Sequence, residues 1–319
     1  MTLISPAVSM MARLRYPYKF TVISLIFLLP MMAFFYVSVS GLQEKLRTSE
    51  LELKGTELLF TLRPLVENFA KHRGMSNALL NGDQSFADKV ISQRAIVDGH
   101  IQAMLDFQFL WTQFELSAEA QQLADDWRQL KSATNLSASM SFQRHTELID
   151  EVLTLKVQVA DSSHLSLDPE MTTYYLMDAV VNRLPVLVEN LGQVRGKASG
   201  VAAQGRVSTT DGFSISSGLQ KVRATHKAFR HGLHQIDING GDRVKSLVAL
   251  ADSSEDSLLG YLRFVDQQVL AASALGGIEV EPASVFSRGT AVIVDNFKIY
   301  DQSLQMLQML LEQRIQQGQ

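Results

Sequence analysis

Phe20 to Ser40 reads FTVISLIFLLPMMAFFYVSVS, 21 residues without a charge. As a helix rising about 1.5 Å per residue, this run is long enough to cross a hydrocarbon core of about 30 Å. It reads as a membrane span and divides the chain into a short leader and a long remainder. A cleaved signal peptide is the rival reading, because Ser38-Val39-Ser40 before Gly41 resembles a small-residue cleavage site. The run exceeds the usual apolar stretch of a signal peptide, about 7–15 residues, which favours an uncleaved anchor. Arg13, Arg15 and Lys19 precede it, and no acidic residue occurs in the first 40 positions. The positive-inside rule then keeps residues 1–19 in the cytoplasm, makes 20–40 the span and exports 41–319.

With those three removed from its 29 basic residues, the exported part faces all 33 acidic ones, a net charge of about −7. Topology and charge both argue against a nucleic-acid partner. The chain has no cysteine, which excludes disulfides, thiolate zinc sites and a cysteine nucleophile. Seven prolines in 319 residues, with long stretches free of proline and glycine, favour helices over a turn-rich β protein.

The periodicity after Ser40 is helical almost throughout. Glu44–Leu80 forms one long segment, broken at Asn81-Gly82-Asp83. Asp83 can cap a second helix running toward Glu115, and shorter segments follow near 118–132 and 139–162. In LDPEMTTYYLMDAVVNRLPVLVENLGQVRG, Asp168 suits an N-cap and Pro169 the first helical position. The helix opened there extends to about Gln204, with a kink expected near 181–185 because of Pro185. Asp211 suits the cap of a helix ending near Ile236, followed by a turn at Asn239-Gly240-Gly241-Asp242 and a helix to about Ala274. A loop from Gly276 to Pro282 precedes a last helix from Ala283 to the end. The expected fold is therefore all-α, a transmembrane helix followed by an elongated up-and-down bundle.

Residues 65–74, LVENFAKHRG, return at 187–196 as LVENLGQVRG, with six of ten positions identical. Two similar halves, 41–164 and 165–319, would account for the echo, and so would coincidence. Arg73 and Arg195 both fall on apolar helical stripes, beside Val66, Phe69 and Leu80 and beside Val188, Leu191 and Ala202 respectively. A guanidinium in such a place pairs with an internal carboxylate, with Asp178, Glu67 and Glu189 as candidates, or snorkels to solvent, or waits for an anionic ligand. Gly74 and Gly196 would let a backbone or ligand approach each arginine closely.

SPAVSMMARLRYPYKF with the apolar run, then RPLVENFAKHRGMSNALLNGD and LDPEMTTYYLMDAVVNRLPVLVENLGQVRG, together resemble the sensory region of bacterial transmembrane receptors. Methyl-accepting chemotaxis proteins are the nearest group, and related regions precede histidine kinases and diguanylate cyclases. The HRG segment is also similar to all-helical nitrate- and nitrite-sensing domains, whose arginines on facing helices hold the anion. That resemblance implies a ligand site at Arg73 and Arg195, with His72, Ser76 and Asn77 alongside. The chain departs from the pattern by carrying Lys71 and His72 where the family tends to place a second arginine.

It further implies a homodimer in the bacterial inner membrane, with the main domain in the periplasm and a second span leading to an output module. Its partner would be a small anion or metabolite, without cofactor or catalysis. A membrane-anchored helical envelope protein that senses nothing is the alternative of another class. No nucleophile elbow, phosphate-binding loop or zinc-protease motif occurs. His231 and His234 have the i, i+3 spacing of a helical metal pair but no third ligand nearby, and read as a solvated face.

Overall fold

A computed structural model describes residues 11–12, 15–272 and 277–318. The expected basic flank at Arg13, the helix end at Ala274, the loop start at Gly276 and the terminal Gln319 lie outside the described residues. The described residues form an all-α bundle. We number its helices α1 (Tyr16–Leu80), α2 (Ala87–Leu105), α3 (Gln108–Gln113), α4 (Ser117–Ser132), α5 (Ala138–Ser162), α6 (Met171–Asp178), α7 (Leu184–Gln204), α8 (Thr209–Gly240), α9 (Lys245–Val265) and α10 (Pro282–Gly318).

The apolar run and the first bundle helix are a single helix of 65 residues, roughly 100 Å long at about 1.5 Å per residue. Its N-terminal part is apolar and long enough to span a membrane, and no residue of its most apolar window is buried by the rest of the protein. Phe20, Phe27, Phe34 and Phe35 are all exposed. Burial begins at Ser49, and from there one stripe, Leu58, Leu59, Leu62, Leu65, Val66 and Phe69, enters the core.

Residues Asn81 to Asp83 end α1 as expected, with the Asp83 carboxylate accepting from the Ser85 amide at 3.1 Å. The helix expected to reach Glu115 stops instead at Leu105. The Trp111 indole N–H donates to the Met104 carbonyl at 2.8 Å, which folds the short α3 back on the end of α2. Helix α1 packs on α5, α2 and α10; α7 packs on α10 and α8; α9 packs on α10.

Three local expectations change. Asp168 does not cap a helix at Pro169. Its carboxylate accepts from the Glu170 amide at 2.9 Å and from Arg314 at 3.0 Å, and α6 opens at Met171 with Glu170 before it. A guanidinium arriving from the last helix shares the oxygen that receives the Glu170 amide. Asp211 lies in the first turn of α8, and the cap is Ser208, whose hydroxyl accepts from the Asp211 amide at 3.1 Å. The kink predicted from Pro185 takes the form of a π-helical turn, Ala179–Arg183, just before that proline. Wider turns of this kind free backbone carbonyls. Here the Lys156 ammonium nitrogen, fully buried, donates to the Val180 carbonyl at 2.6 Å and lies 4.3 Å from the centre of the Tyr300 ring. Burial pushes the Lys156 amine well below its ordinary value.

Helix α10 runs antiparallel to α1. Arg63 is held by Asp301, with Nη2 to Oδ2 at 2.7 Å, and Arg314 by Glu52 at 3.0 Å, while Gly318 lies against Leu46. The last described residues thus return to the stretch of α1 next to the apolar run.

Candidate functional site

Arg73 is 3% exposed and fully engaged. Its Nη1 and Nη2 donate to Glu189 Oε1 and Oε2 at 2.6 and 3.0 Å, and Nη1 also donates to Thr146 Oγ1 at 2.9 Å. The guanidinium lies 4.7 Å from the centre of the Phe142 ring. Glu189, 5% exposed, accepts in addition from Gln193 Nε2 at 2.6 Å. A buried ion pair persists only when its remaining donors and acceptors are satisfied, and these contacts satisfy them. Of the three carboxylates that could have paired with the arginines, Glu189 holds Arg73. Glu67 serves Lys71 at 2.7 Å and Asp178 serves Arg183 at 2.8 Å.

Arg195 has a different environment. It donates to Thr290 Oγ1 at 2.8 Å and stacks 4.4 Å from the centre of the Phe286 ring, and its Nε is buried without a partner. Among the described residues no carboxylate reaches it within ion-pair distance. Burial depresses its pKa, and the charge of Arg73 depresses it further against the pull of Tyr261 and Glu189. Tyr261 Oη is also buried without a partner. A side chain at Gly289 would place its Cβ 2.6 Å from Tyr261 Oη and 2.8 Å from Arg195 Cγ, so this glycine is what lets α9, α7 and α10 converge.

A cavity of about 60 Å³ opens between α1, α7 and α10, lined among others by Val66, Ala70, Gly192, Arg195, Thr290 and Ile293. A water needs about 10–15 Å³ of such space, so the cavity has room for a small ion of a few heavy atoms. Counting the charged residues that line it, Glu67, Lys71, Glu189 and Arg195, together with Arg73 beside Glu189, the site carries one net positive charge.

The five residues singled out in the sequence do not form one cluster. Arg73 meets Glu189, and Arg195 lines the same cavity as Glu189. His72 and Ser76 turn the other way, into a crevice between α1, α2, α4 and α5. Asn77 lines neither cavity, and its side-chain oxygen accepts from Asn81 Nδ2 at 3.3 Å. Gly74 has open space where a Cβ would stand and Gly196 has only ordinary contact, so the close approach expected at those glycines occurs instead at Gly289. The sequence reading missed Tyr261, Thr290 and Gly289. A third Arg-Gly pair, Arg288-Gly289, was the available signal for the last two. His231 packs against Tyr175, and no group of three or more potential metal ligands gathers among the described residues.

The family model described as nitrate and nitrite sensing matches residues 64–293. No curated relative matches the chain. Among solved structures, the NasR transcription antiterminator is similar, with a TM-score of 0.65 at 16% identity, covering 90% of this chain and 76% of that one. At that identity the likeness concerns the fold.

Proposed function

The chain belongs to the nitrate and nitrite sensing family, and from that premise we propose that it is the sensory part of a membrane-anchored receptor whose ligand is nitrate or nitrite. The observation that carries the reading is Arg195: a largely buried guanidinium with no carboxylate partner, facing a cavity of about 60 Å³ beside the Arg73–Glu189 pair. A monoanion restores neutrality there. Nitrate is planar and matches the fork of a guanidinium. Arg195 donates from one side, held by Thr290, whose hydroxyl accepts from it and donates to the Phe286 carbonyl at 2.8 Å, and Arg73 turns part of its hydrogen bonding from Glu189 toward the ion.

Binding draws α10 toward α7. Because α10 runs antiparallel to α1 and returns to the stretch near Leu46, a shift of about 1–2 Å along it is delivered next to the apolar run. With residues 20–40 crossing the inner membrane and residues 41–319 outside the cytoplasm, that displacement reaches the bilayer. A homodimer and a chemotaxis-type output, of the methyl-accepting class, complete the proposal. The protein itself carries out no catalysis.

The test is thermal unfolding of the full chain in lipid nanodiscs with increasing nitrate, nitrite and chloride. Nitrate at about 100 times its dissociation constant adds about 2.7 kcal/mol of stability. Arg195→Ala, which removes the unpaired charge without stranding a carboxylate, abolishes the shift. An equal shift in Arg195→Ala, or none in the parent, refutes the assignment.

A further inference from the structure

His72 and Arg73 are neighbours on α1, and their side chains point about 100° apart. While Arg73 faces α7, His72 enters a second cavity of about 300 Å³, bounded by His72 and Ser76 of α1, Arg94 of α2, Leu130 of α4, and Ser141 and His145 of α5. The two cavities share no lining residue.

The hydrogen bonds around the two buried histidines fix what the pocket offers. His145 Nδ1 lies 2.6 Å from the Ser141 carbonyl oxygen, which can only accept, so that nitrogen carries the proton. Burial, with the charges of Arg73 and Arg94, holds His145 down at about 4, so its ring is neutral at physiological pH and its Nε2 is a bare acceptor. His72 Nδ1, 2.6 Å from that Nε2, must therefore donate to it. His72 is likewise kept neutral by burial, then by His145 and Arg94, at about 3. That leaves His72 Nε2 as a lone-pair acceptor, buried and without a partner.

Arg94 offers the opposite. Its Nε is buried and unpartnered, and among the described residues no carboxylate pairs with it. Asp98, one turn along α2, gives its Oδ1 to Trp127 Nε1 at 2.7 Å and Lys131 Nζ at 2.8 Å, and meets Arg94 as a nearby charge without a hydrogen bond. Leu79, Val90, Leu130 and Leu136 supply an apolar wall. The residues lining the cavity thus include a cation without a carboxylate partner, a histidine with an acceptor in need of an N–H or O–H, and an apolar surface, around a volume too large for a four-atom ion.

We propose that this cavity is a second ligand site, distinct from the anion site of the other face, for a small carboxylic acid that carries its own hydroxyl or amine donor on an apolar body. The carboxylate meets Arg94, the donor meets His72 Nε2, and the hydrocarbon lies against the leucines. Nitrate lacks both the donor and the size, so the site does not depend on the anion reading for Arg195. Occupancy also bears on that other site, because the same two helices are joined by His72 to His145 on one side and by Arg73 to Thr146, at 2.9 Å, on the other.

The test is calorimetric titration of the full chain in nanodiscs with 2-hydroxy-4-methylpentanoate and with 4-methylpentanoate, which lacks the hydroxyl. The hydroxy acid is expected to bind saturably and about tenfold or more tightly than its deoxy analogue. Arg94→Gln, at a half-buried position without a hydrogen-bond partner and so tolerated by the fold, weakens it at least about tenfold. Arg195→Ala leaves it unchanged. No saturable binding, equal affinity of the two acids, unchanged binding in Arg94→Gln, or competitive displacement by nitrate would each overturn the proposal. Nitrate titration of the same samples reports on the Arg195 site separately.

Discussion

Replacing Glu52 with glutamine should stabilise this protein at pH 8 and leave it almost unchanged near pH 4.5. Glu52 is 1% exposed, with Oε2 accepting from Arg314 Nη1 at 3.0 Å and Oε1 buried without a partner. Arg314 is shared: its Nη2 also serves Asp168 at 3.0 Å, and its Nε faces Glu170 at 2.9 Å. Three carboxylates therefore compete for one guanidinium. Burial first, then repulsion by Asp168, raises Glu52 from 4.5 to about 7 against the pull of Arg314. Between those two pH values the unfolded chain has released the proton while the folded protein still holds it. Stability therefore falls as pH rises through this window and levels off above about pH 7. At about 1.4 kcal/mol per pH unit the full cost is about 3 kcal/mol. Glutamine does not titrate, so the stability difference between variant and parent should grow by about 2–3 kcal/mol from pH 4.5 to pH 8. Urea unfolding in detergent micelles, followed by the fluorescence of the buried Trp111 and Trp127, measures it. Parallel pH profiles would mean that Glu52 ionises normally. A variant less stable than the parent at pH 8 would mean that the charged pair with Arg314 is net stabilising, and the reasoning fails.

Two further substitutions separate structure from sensing. Gly289→Ala drives a methyl group against Tyr261 Oη and Arg195 Cγ, at 2.6 and 2.8 Å; we expect a loss of about 1–3 kcal/mol and no nitrate-induced shift in melting temperature. Arg73→Ala strands Glu189 in the core and should cost about 3–5 kcal/mol, whereas the double variant Arg73→Ala with Glu189→Leu should recover much of that stability in chemical denaturation and, because Arg195 keeps its unpaired charge, should still respond to nitrate. If the double variant is as unstable as the single one, the cost does not come from a stranded Glu189 carboxylate.

The helices were legible because their causes are local. The apolar stripe of α1, the break at Asn81 to Asp83 and the irregularity before Pro185 each follow from residues within one or two turns. What failed did so where a distant group intervened. Asp168 has the sequence of a cap, but Arg314, 146 positions later, shares its carboxylate with the Glu170 amide, and no short-range pattern contains that information.

The candidate site divides along the same line. Apolar periodicity placed Arg73 and Arg195 inside the bundle, and the charge argument correctly required a partner, a solvent path or a ligand for each. Which solution each arginine adopts depends on what the facing helix presents, Glu189 for Arg73 and Thr290 with Phe286 for Arg195. The echo LVEN…RG therefore sits in two unlike environments, and its glutamates behave differently too: Glu189 is committed to Arg73, whereas Glu67 lies beside Lys71 and Arg63. On the proposed reading that inequality leaves Arg195 available to an anion. An arginine already neutralised, like Arg73, gains little from one, because any new hydrogen bond is offset by one lost from Glu189. A desolvated arginine without a counter-charge gains the full interaction. On the proposed reading the asymmetry of the two arginines is a consequence of packing, and reversing it should move the response: a carboxylate placed at Thr290 would neutralise Arg195 and silence the site while leaving the bundle folded.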